Sequence, residues 1–190
     1  MHWWHKRGRK SDVPRPVFNN EKSKIPPAVI DGTAIWLKNT SPYPLDRVKL
    51  LLSFAFAAVL DYGIEVHVKG SSSSYKGRAY NGIPQIANVI DGAKYLVTIG
   101  LARSRSMLPQ TVSPRTKRQL KRYPQGIRIR DWEDVLVFVG AHEARHIWQF
   151  QARRTQGKQP ISEVDAEQFA IQRLNDWRIL TGDLAIPPVL

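Results

Sequence analysis

Hydrophobic and polar residues follow one another along the chain in patterns that predict both strands and helices. Short apolar or alternating runs, which are typical of strands, occur at 33–39, 64–70 and 94–102. Apolar residues spaced for one face of a helix occur over 44–60. The pattern at 78–90 is weaker, and we expect a loop with a short extended piece there.

Two further helices are predicted near the end of the chain. The first covers 132–154, with Asp131 as its expected N-cap, and the second covers 162–179, with Ser162 as its N-cap. A glycine and a proline between the two helices reverse the chain, so the second helix should return along the first. Together these elements predict an α+β fold.

The length and composition indicate one domain with a basic arm. A chain of 190 residues suits a single domain, for which we expect the bounds 28–190. Residues 1–27 mix basic residues with prolines and show no apolar period, so we expect a flexible N-terminal arm. Within the domain, 103–130 is a basic excursion that contains nine Arg and Lys and no acid, with a short helix expected at 114–122.

The cysteine count and the apolar runs limit the cellular compartments in which we expect the protein. The chain contains no Cys, which excludes disulfides and thiolate metal sites. The longest apolar run, at 50–60, is too short to span a bilayer, and the first residues do not form a signal-peptide pattern. We therefore expect a cytoplasmic protein that does not contact a membrane, and a monomer.

The charge widens the range of partners. Lys and Arg number 29 against 16 Asp and Glu, a formal net charge of +13. Such an excess favours encounter with nucleic acid or another polyanion through the basic segments. The residues expected to contact nucleic acid are Arg115, Lys117, Arg118, Lys121 and Arg122.

The segment His-Glu-Ala-Arg-His at 142–146 carries the candidate chemistry. On a helix, His142 and His146 are four residues apart and project from one face, where two imidazoles can hold one tetrahedral metal ion. Glu143 is offset by one position, so it can reach a water on the metal and act as a general base. Apolar residues flank the histidine face, which indicates that the histidines point into the protein body.

A third metal ligand should be a carboxylate, because no His follows His146 and Cys is absent. The predicted returning helix supplies two acids on one face, Glu163 and Glu167. Antiparallel geometry alone slightly favours Glu167, which lies deeper in that helix. The spacing therefore leaves both residues open.

The chain resembles a known family over roughly its last third. The motif at 142–146, followed by Glu-Val-Asp-Ala-Glu-Gln-Phe-Ala at 163–170, resembles the gluzincin branch of the zincin metallopeptidases. The small size resembles the single-domain, minigluzincin-like form. This resemblance implies a zincin-like fold, with a mixed sheet on an active-site helix and a following glutamate-bearing helix.

The resemblance also implies roles for the site residues. His142, His146 and Glu163 would bind one Zn²⁺ ion, and a zinc-bound water activated by Glu143 would hydrolyse peptide bonds, which makes the chain a zinc endopeptidase. Glu167 would hydrogen-bond a ligand histidine and fix its tautomer. Most members carry Asp where Glu167 stands, so a swap of roles between the two acids stays open.

The same family pattern places the substrate on a strand. In zincins the strand before the active-site helix borders the cleft and pairs with an extended peptide, a role that the strand at 94–102 would take here. Its substrate-binding residues would be Val97, Thr98, Ile99 and Gly100. Candidates for stabilising the oxyanion of the reaction are His67, Tyr80, Tyr123 and Arg173.

Two other hypotheses compete with or extend the peptidase. One is a basic nucleic-acid-associated protein with a structural or vestigial zinc site. This hypothesis can also be combined with the peptidase hypothesis, as a protease acting on nucleic-acid-bound proteins. The other is autoinhibition, in which Trp3, Trp4 and His5 of the arm fold over the cleft.

Overall fold

A computed structural model describes residues 28–30, 33–60, 62–71, 75–84, 89–102, 108–112, 126–156 and 161–182. The arm 1–27, the expected helix at 114–122 and Tyr123 lie outside the described residues. So do the five residues predicted to contact nucleic acid, Arg115, Lys117, Arg118, Lys121 and Arg122.

Seven strands lie within the described residues. They are β1 (Ala28–Val29), β2 (Ile35–Thr40), β3 (Ile64–Ser71), β4 (Lys76–Tyr80), β5 (Tyr95–Ala102), β6 (Gln110–Val112) and β7 (Ile127–Ile129). The strands β2, β3 and β5 confirm the three strands predicted from the sequence, with ends that differ by one or two residues.

The helices also follow the predicted order. They are α1 (Leu45–Ala55), α2 (Trp132–Gln156) and α3 (Glu163–Leu180). The first helix is shorter than the prediction over 44–60, because the chain leaves the α conformation at Phe56 and continues as a 3₁₀ turn over Ala57–Val59. The mixture of helices and strands confirms the α+β class.

Five of the strands form one mixed sheet in the order β1-β2-β3-β5-β4. The three inner strands β2, β3 and β5 run parallel, and the two outer strands, β1 and β4, pair antiparallel to their neighbours. The strands β6 and β7 pair with each other as a separate antiparallel ribbon. Within the described residues, β4 is therefore one edge of the main sheet.

The prediction that the strand at 94–102 borders the cleft is wrong. After β3 the chain passes first to the outer position as β4, and β5 then fills the gap between them. Thr98, for example, pairs with His67 on one side and with Arg78 on the other. Since β5 is paired on both sides from Val97 to Gly100, these residues cannot add a substrate strand.

One face of the sheet packs on α1 and α2 to form the core. Val66 of β3, Val97 of β5 and Leu52 of α1 are fully buried there. The two helices approach closely at Gly140, where an added Cβ would lie 3.1 Å from the Cβ of Ala55. The small residue therefore sets the distance between α1 and α2, and with it the position of the motif that follows.

The N-terminal ends of the two long helices are capped by the predicted residues. Asp131 Oδ1 accepts hydrogen bonds from the backbone N–H of Glu133 and Asp134, at 3.0 and 2.9 Å. Ser162 Oγ accepts one from the N–H of Asp165 at 3.2 Å. Because each cap satisfies donors that the helix leaves unpaired, it fixes where the helix begins.

An ion pair ties the start of α2 to the end of α3. Arg178 Nη2 lies 2.6 Å from Asp134 Oδ2, and Arg130 Nε donates to the same oxygen at 2.8 Å. Burial raises the pKa of Asp134, but the hydrogen bonds from the two arginines outweigh it and hold that pKa below its usual value. The two antiparallel helices α2 and α3 are thus joined at the end remote from residues 142–146.

Within the described chain, none of the helices combines the length and the apolar character needed to cross a bilayer.

Candidate metal centre

Three side chains from α2 and α3 bring their ligand atoms together. The Nε2 atoms of His142 and His146 lie 3.1 Å apart. Glu163 Oε2 lies 3.4 Å from the first nitrogen and 3.6 Å from the second. Among the described residues, this is the group of histidine and carboxylate side chains that could hold a metal ion.

The three residues differ in their access to solvent. His142 is 1% exposed and His146 is 7% exposed, so both imidazoles lie inside the protein body. The side chain of Glu163 is 53% exposed and closes the group from outside. It stands in the first turn of α3, directly after the Ser162 cap. The group therefore lies at the boundary between core and solvent, where a small ligand can reach it.

Glu143 lies between the histidines and the edge strand. Its carboxylate accepts a hydrogen bond from the backbone N–H of Ala79 in β4. The pKa of Glu143 is raised to about 8, mainly by burial. The nearby Glu163 also raises this pKa, whereas the hydrogen bond from Ala79 and the charge of Arg78 lower it. A carboxyl with a pKa near neutral can both accept and give up a proton in the working pH range.

The close approach of β4 to Glu143 requires a glycine. A Cβ placed on Gly77 would overlap the Oε1 atom of Glu143 and would lie 2.6 Å from Val139 Cγ1. Because both neighbours are buried, neither can move aside easily. Gly77 therefore lets the edge strand lie directly over the helix turn that carries Glu143.

Gln149 orients His146, a role that the sequence analysis missed. Gln149 Oε1 lies 3.1 Å from His146 Nδ1, while Gln149 Nε2 donates to Ser162 O at 3.1 Å and to Asp165 Oδ2 at 2.8 Å. With its amide group committed as donor to two oxygens, Gln149 presents only its carbonyl to the imidazole. His146 Nδ1 must then carry the proton, which leaves Nε2 as the atom available to a metal.

Asp165 connects this hydrogen bond to the packing of the two helices. It accepts from Arg145 Nε at 2.7 Å, and the Arg145 guanidinium lies over the rings of Trp148 and Phe169, at 3.9 and 5.4 Å from their centroids. Burial raises the pKa of Asp165, but the hydrogen bonds from Arg145 and Gln149 outweigh it and lower that pKa. These contacts hold the first turn of α3, and with it Glu163, against α2.

The second acid, Glu167, is buried, and three of the oxyanion candidates lie away from the metal group. Glu167 is completely buried between the helices and stays a predicted hydrogen-bond partner of a ligand histidine. His67 and Tyr80 face away from the helices, on the opposite side of the sheet, and Arg173 donates to the backbone carbonyl of Phe54. None of these three reaches the group formed by His142 and its partners.

A signal for Gln149 was present in the sequence. It follows His146 by three residues and so lies on the same face of the helix. The role of Asp165 depends on the rotation of α3 against α2, which a helical pattern does not specify.

The geometry provides a group that could hold one metal ion, with a buried carboxyl beside it. Comparisons with protein-family models, with curated proteins and with solved structures find no match to this chain.

Proposed function

We propose that this chain is a zinc-dependent metallopeptidase with a zincin-like domain. The convergence of His142, His146 and Glu163 beside Glu143 is the observation that carries the proposal. The gluzincin pattern implies these four residues in these roles, and the folded chain provides a geometry compatible with them. The third ligand is Glu163 rather than Glu167, because the Glu163 carboxylate is the one that meets the two imidazoles.

The spacing of the ligand atoms supports zinc. A regular tetrahedron of ligands at 2.0–2.1 Å from zinc has edges of about 3.3 Å. The three separations of 3.1, 3.4 and 3.6 Å lie around this value. Two imidazoles and one carboxylate are also a ligand set that catalytic zinc sites use, with the fourth position left for water or substrate.

Glu143 supplies the proton transfer. Zinc at this site would polarise a peptide carbonyl and lower the pKa of a water molecule. The Glu143 carboxylate, oriented by the Ala79 N–H, would accept the proton of that water and deliver it to the leaving amine. A bound cation would also offset the effect of burial on the Glu143 pKa, which favours the ionised form that a base requires.

The edge of β4 supports a peptide as the substrate. Among the described strands, β4 has one unpaired edge, and Gly77 and Ala79 lie beside Glu143. An extended peptide can add to such an edge through backbone hydrogen bonds, which hold it without regard to side chains. In our proposal β4 therefore takes the substrate-pairing role that the sequence analysis assigned to 94–102.

The experiment measures zinc content and peptide cleavage in the same preparations. We expect one zinc per chain and cleavage of a broad peptide library by the wild-type protein. His142→Ala should lose both zinc and cleavage, whereas Glu143→Gln should keep zinc and lose cleavage by at least a hundredfold. Full hydrolysis by Glu143→Gln, or no detectable cleavage by zinc-loaded wild-type protein, would contradict the proposal.

A further inference from the structure

The face of the sheet that points away from the helices is rich in cations. Two rows of side chains cross the four strands β2, β3, β5 and β4 in register. The first row is Lys38, His67, Thr98 and Arg78, and the second is Thr40, Lys69, Gly100 and Lys76. Neither row contains an acid, and the side chains of Lys69, Lys76 and Arg78 are exposed. We call these two rows the basic sheet face.

The described acid that precedes the two rows on β3 forms ion pairs inside the protein. Glu65 precedes the two rows on β3 and is completely buried. Lys38 Nζ and His67 Nε2 lie 2.8 and 2.5 Å from its carboxylate, and the backbone N–H of Ile90 donates to it as well. The buried carboxylate thus engages Lys38 and His67, and it adds no exposed negative charge to the surface that carries the outer cations.

The width of the face suits a single strand of nucleic acid. Three steps of about 4.8 Å between neighbouring strands make each row about 14 Å across. The grooves of a duplex admit a helix or a two-stranded ribbon, so a face four strands wide fits them poorly. Such a face instead suits a single strand, whose phosphates meet cations while unstacked bases lie on planar side chains.

A planar group is present at the edge of the face. The Arg78 guanidinium lies over the Tyr80 ring, 5.0 Å from its centroid. Guanidinium planes and aromatic rings are the groups on which proteins stack unpaired bases. The pair lies beside Lys76 on the same strand, so one strand offers both a phosphate contact and a stacking surface.

We propose that the basic sheet face binds single-stranded nucleic acid through Lys69, Lys76 and Arg78. This site is distinct from the metal group, which lies on the other side of the sheet. It does not depend on the peptidase activity, and it does not use the basic segments singled out in the sequence.

The test uses the full-length chain and a fluorescent oligothymidine of 20 nucleotides, with binding measured by anisotropy at several salt concentrations. Lys69→Glu, Lys76→Glu and Arg78→Glu are combined in one variant. The slope of log K against log salt is negative, and the loss of three phosphate contacts, at about 0.7 each, should make it shallower by about 2. We expect the affinity at 50 mM salt to fall at least tenfold.

A matched control carries the same change of charge elsewhere. Lys49→Glu, Arg153→Glu and Arg154→Glu reverse three cations on α1 and on the last turn of α2, on the helix side of the sheet. We expect this control to keep its affinity within about threefold, since it leaves the phosphate contacts intact. If both variants weaken binding equally, the affinity comes from net charge and the proposal is overturned.

Two further measurements complete the test, one on a glutamine variant and one on a duplex. A variant with Gln at 69, 76 and 78 removes the three charges without adding acids, and near-ultraviolet circular dichroism verifies that it is folded. Binding by this folded variant with wild-type affinity would overturn the proposal. Equal affinity for a duplex of the same length would also overturn it, because the face is proposed to bind a single strand.

Discussion

His146 donates a hydrogen bond from Nδ1 to Oε1 of Gln149, at 3.1 Å. Two further oxygens, from Ser162 and Asp165, fix the orientation of the Gln149 amide. The tautomer of one proposed metal ligand is therefore set by the same residue that joins α2 to the first turn of α3. Ligand basicity and helix packing are connected at a single side chain.

Replacing Gln149 with Leu should weaken zinc binding by about 10- to 100-fold, because the imidazole loses the acceptor that fixes its tautomer. Competition with a chromogenic chelator measures the affinity. Gln172→Leu, on the exposed side of α3, is the matched control and should bind zinc as the wild type does. In the wild-type protein, nitrogen NMR should find the proton of His146 on Nδ1; a proton on Nε2 would contradict this assignment.

Replacing Gly77 with Ala should reduce kcat/KM by about 100-fold, while zinc content stays at one per chain. The added Cβ overlaps the Glu143 carboxylate and Val139, and a displacement of about 1 Å at a catalytic group can cost this much. Lys76→Ala, on the same strand but exposed, serves as the control for effects on strand stability. If Gly77→Ala retains full activity, Glu143 does not depend on the approach of β4.

Zinc should stabilise the fold, because its ligands come from two helices. At a free zinc concentration of 1,000 times Kd, the free energy of unfolding should rise by about 4 kcal/mol. His146→Ala should show no such rise, and magnesium at the same concentration should have no effect on the wild type. Urea unfolding with and without a chelator measures the difference, and equal stabilisation of His146→Ala would place the zinc elsewhere.

Stability should depend on pH through Glu65. Burial raises its pKa, but the hydrogen bonds from His67, Lys38 and Ile90 outweigh burial and lower that pKa from 4.5 to about 2. A pKa depressed by folding stabilises the protein above the unfolded value, and the contribution disappears as the pH falls from about 4.5 to about 2. At pH 7 it corresponds to about 3 kcal/mol.

Glu65→Gln tests this pH dependence by urea unfolding between pH 7 and pH 2.5. The variant should be about 3 kcal/mol less stable than the wild type at pH 7, and the difference should shrink below about pH 4.5. Asp46→Asn, an exposed change in the first turn of α1, should shift stability by less than about 1 kcal/mol. A difference for Glu65→Gln that stays constant with pH would show that ionisation of Glu65 is not its source.

The long helices and the inner strands could be predicted because their signals are local. Asp131 and Ser162 are cap residues at the right places, and the apolar period of α2 extends over many turns. The strand β4 could not be predicted with its role, because it is short and contains Lys76, Gly77 and Arg78, which do not favour a strand. Its position outside β5 depends on the order in which strands join the sheet, and no local pattern encodes that order.

The candidate site likewise contains residues that could be predicted from local patterns and residues that could not. The positions of His142, Glu143 and His146 on one helix follow from their spacing alone. The choice between Glu163 and Glu167 depends on how far α3 is shifted along α2, and this shift is set by contacts such as Arg145 with Asp165. Residues that act across two elements, rather than within one, were the ones that the sequence left open.

Within the described residues, one edge of β4 is unpaired, and this edge also affects how copies of the chain meet in solution. An exposed strand edge can pair with the same edge of a second molecule and begin aggregation, and natural proteins oppose this with charge on the edge strand. Lys76 and Arg78 lie on β4, and both are exposed. Two such edges brought together would place like charges side by side, whereas a neutral or acidic peptide would meet no such repulsion. The cations of β4 thus oppose pairing of this edge with a second copy of the chain, while the proposed peptide substrate meets no such opposition.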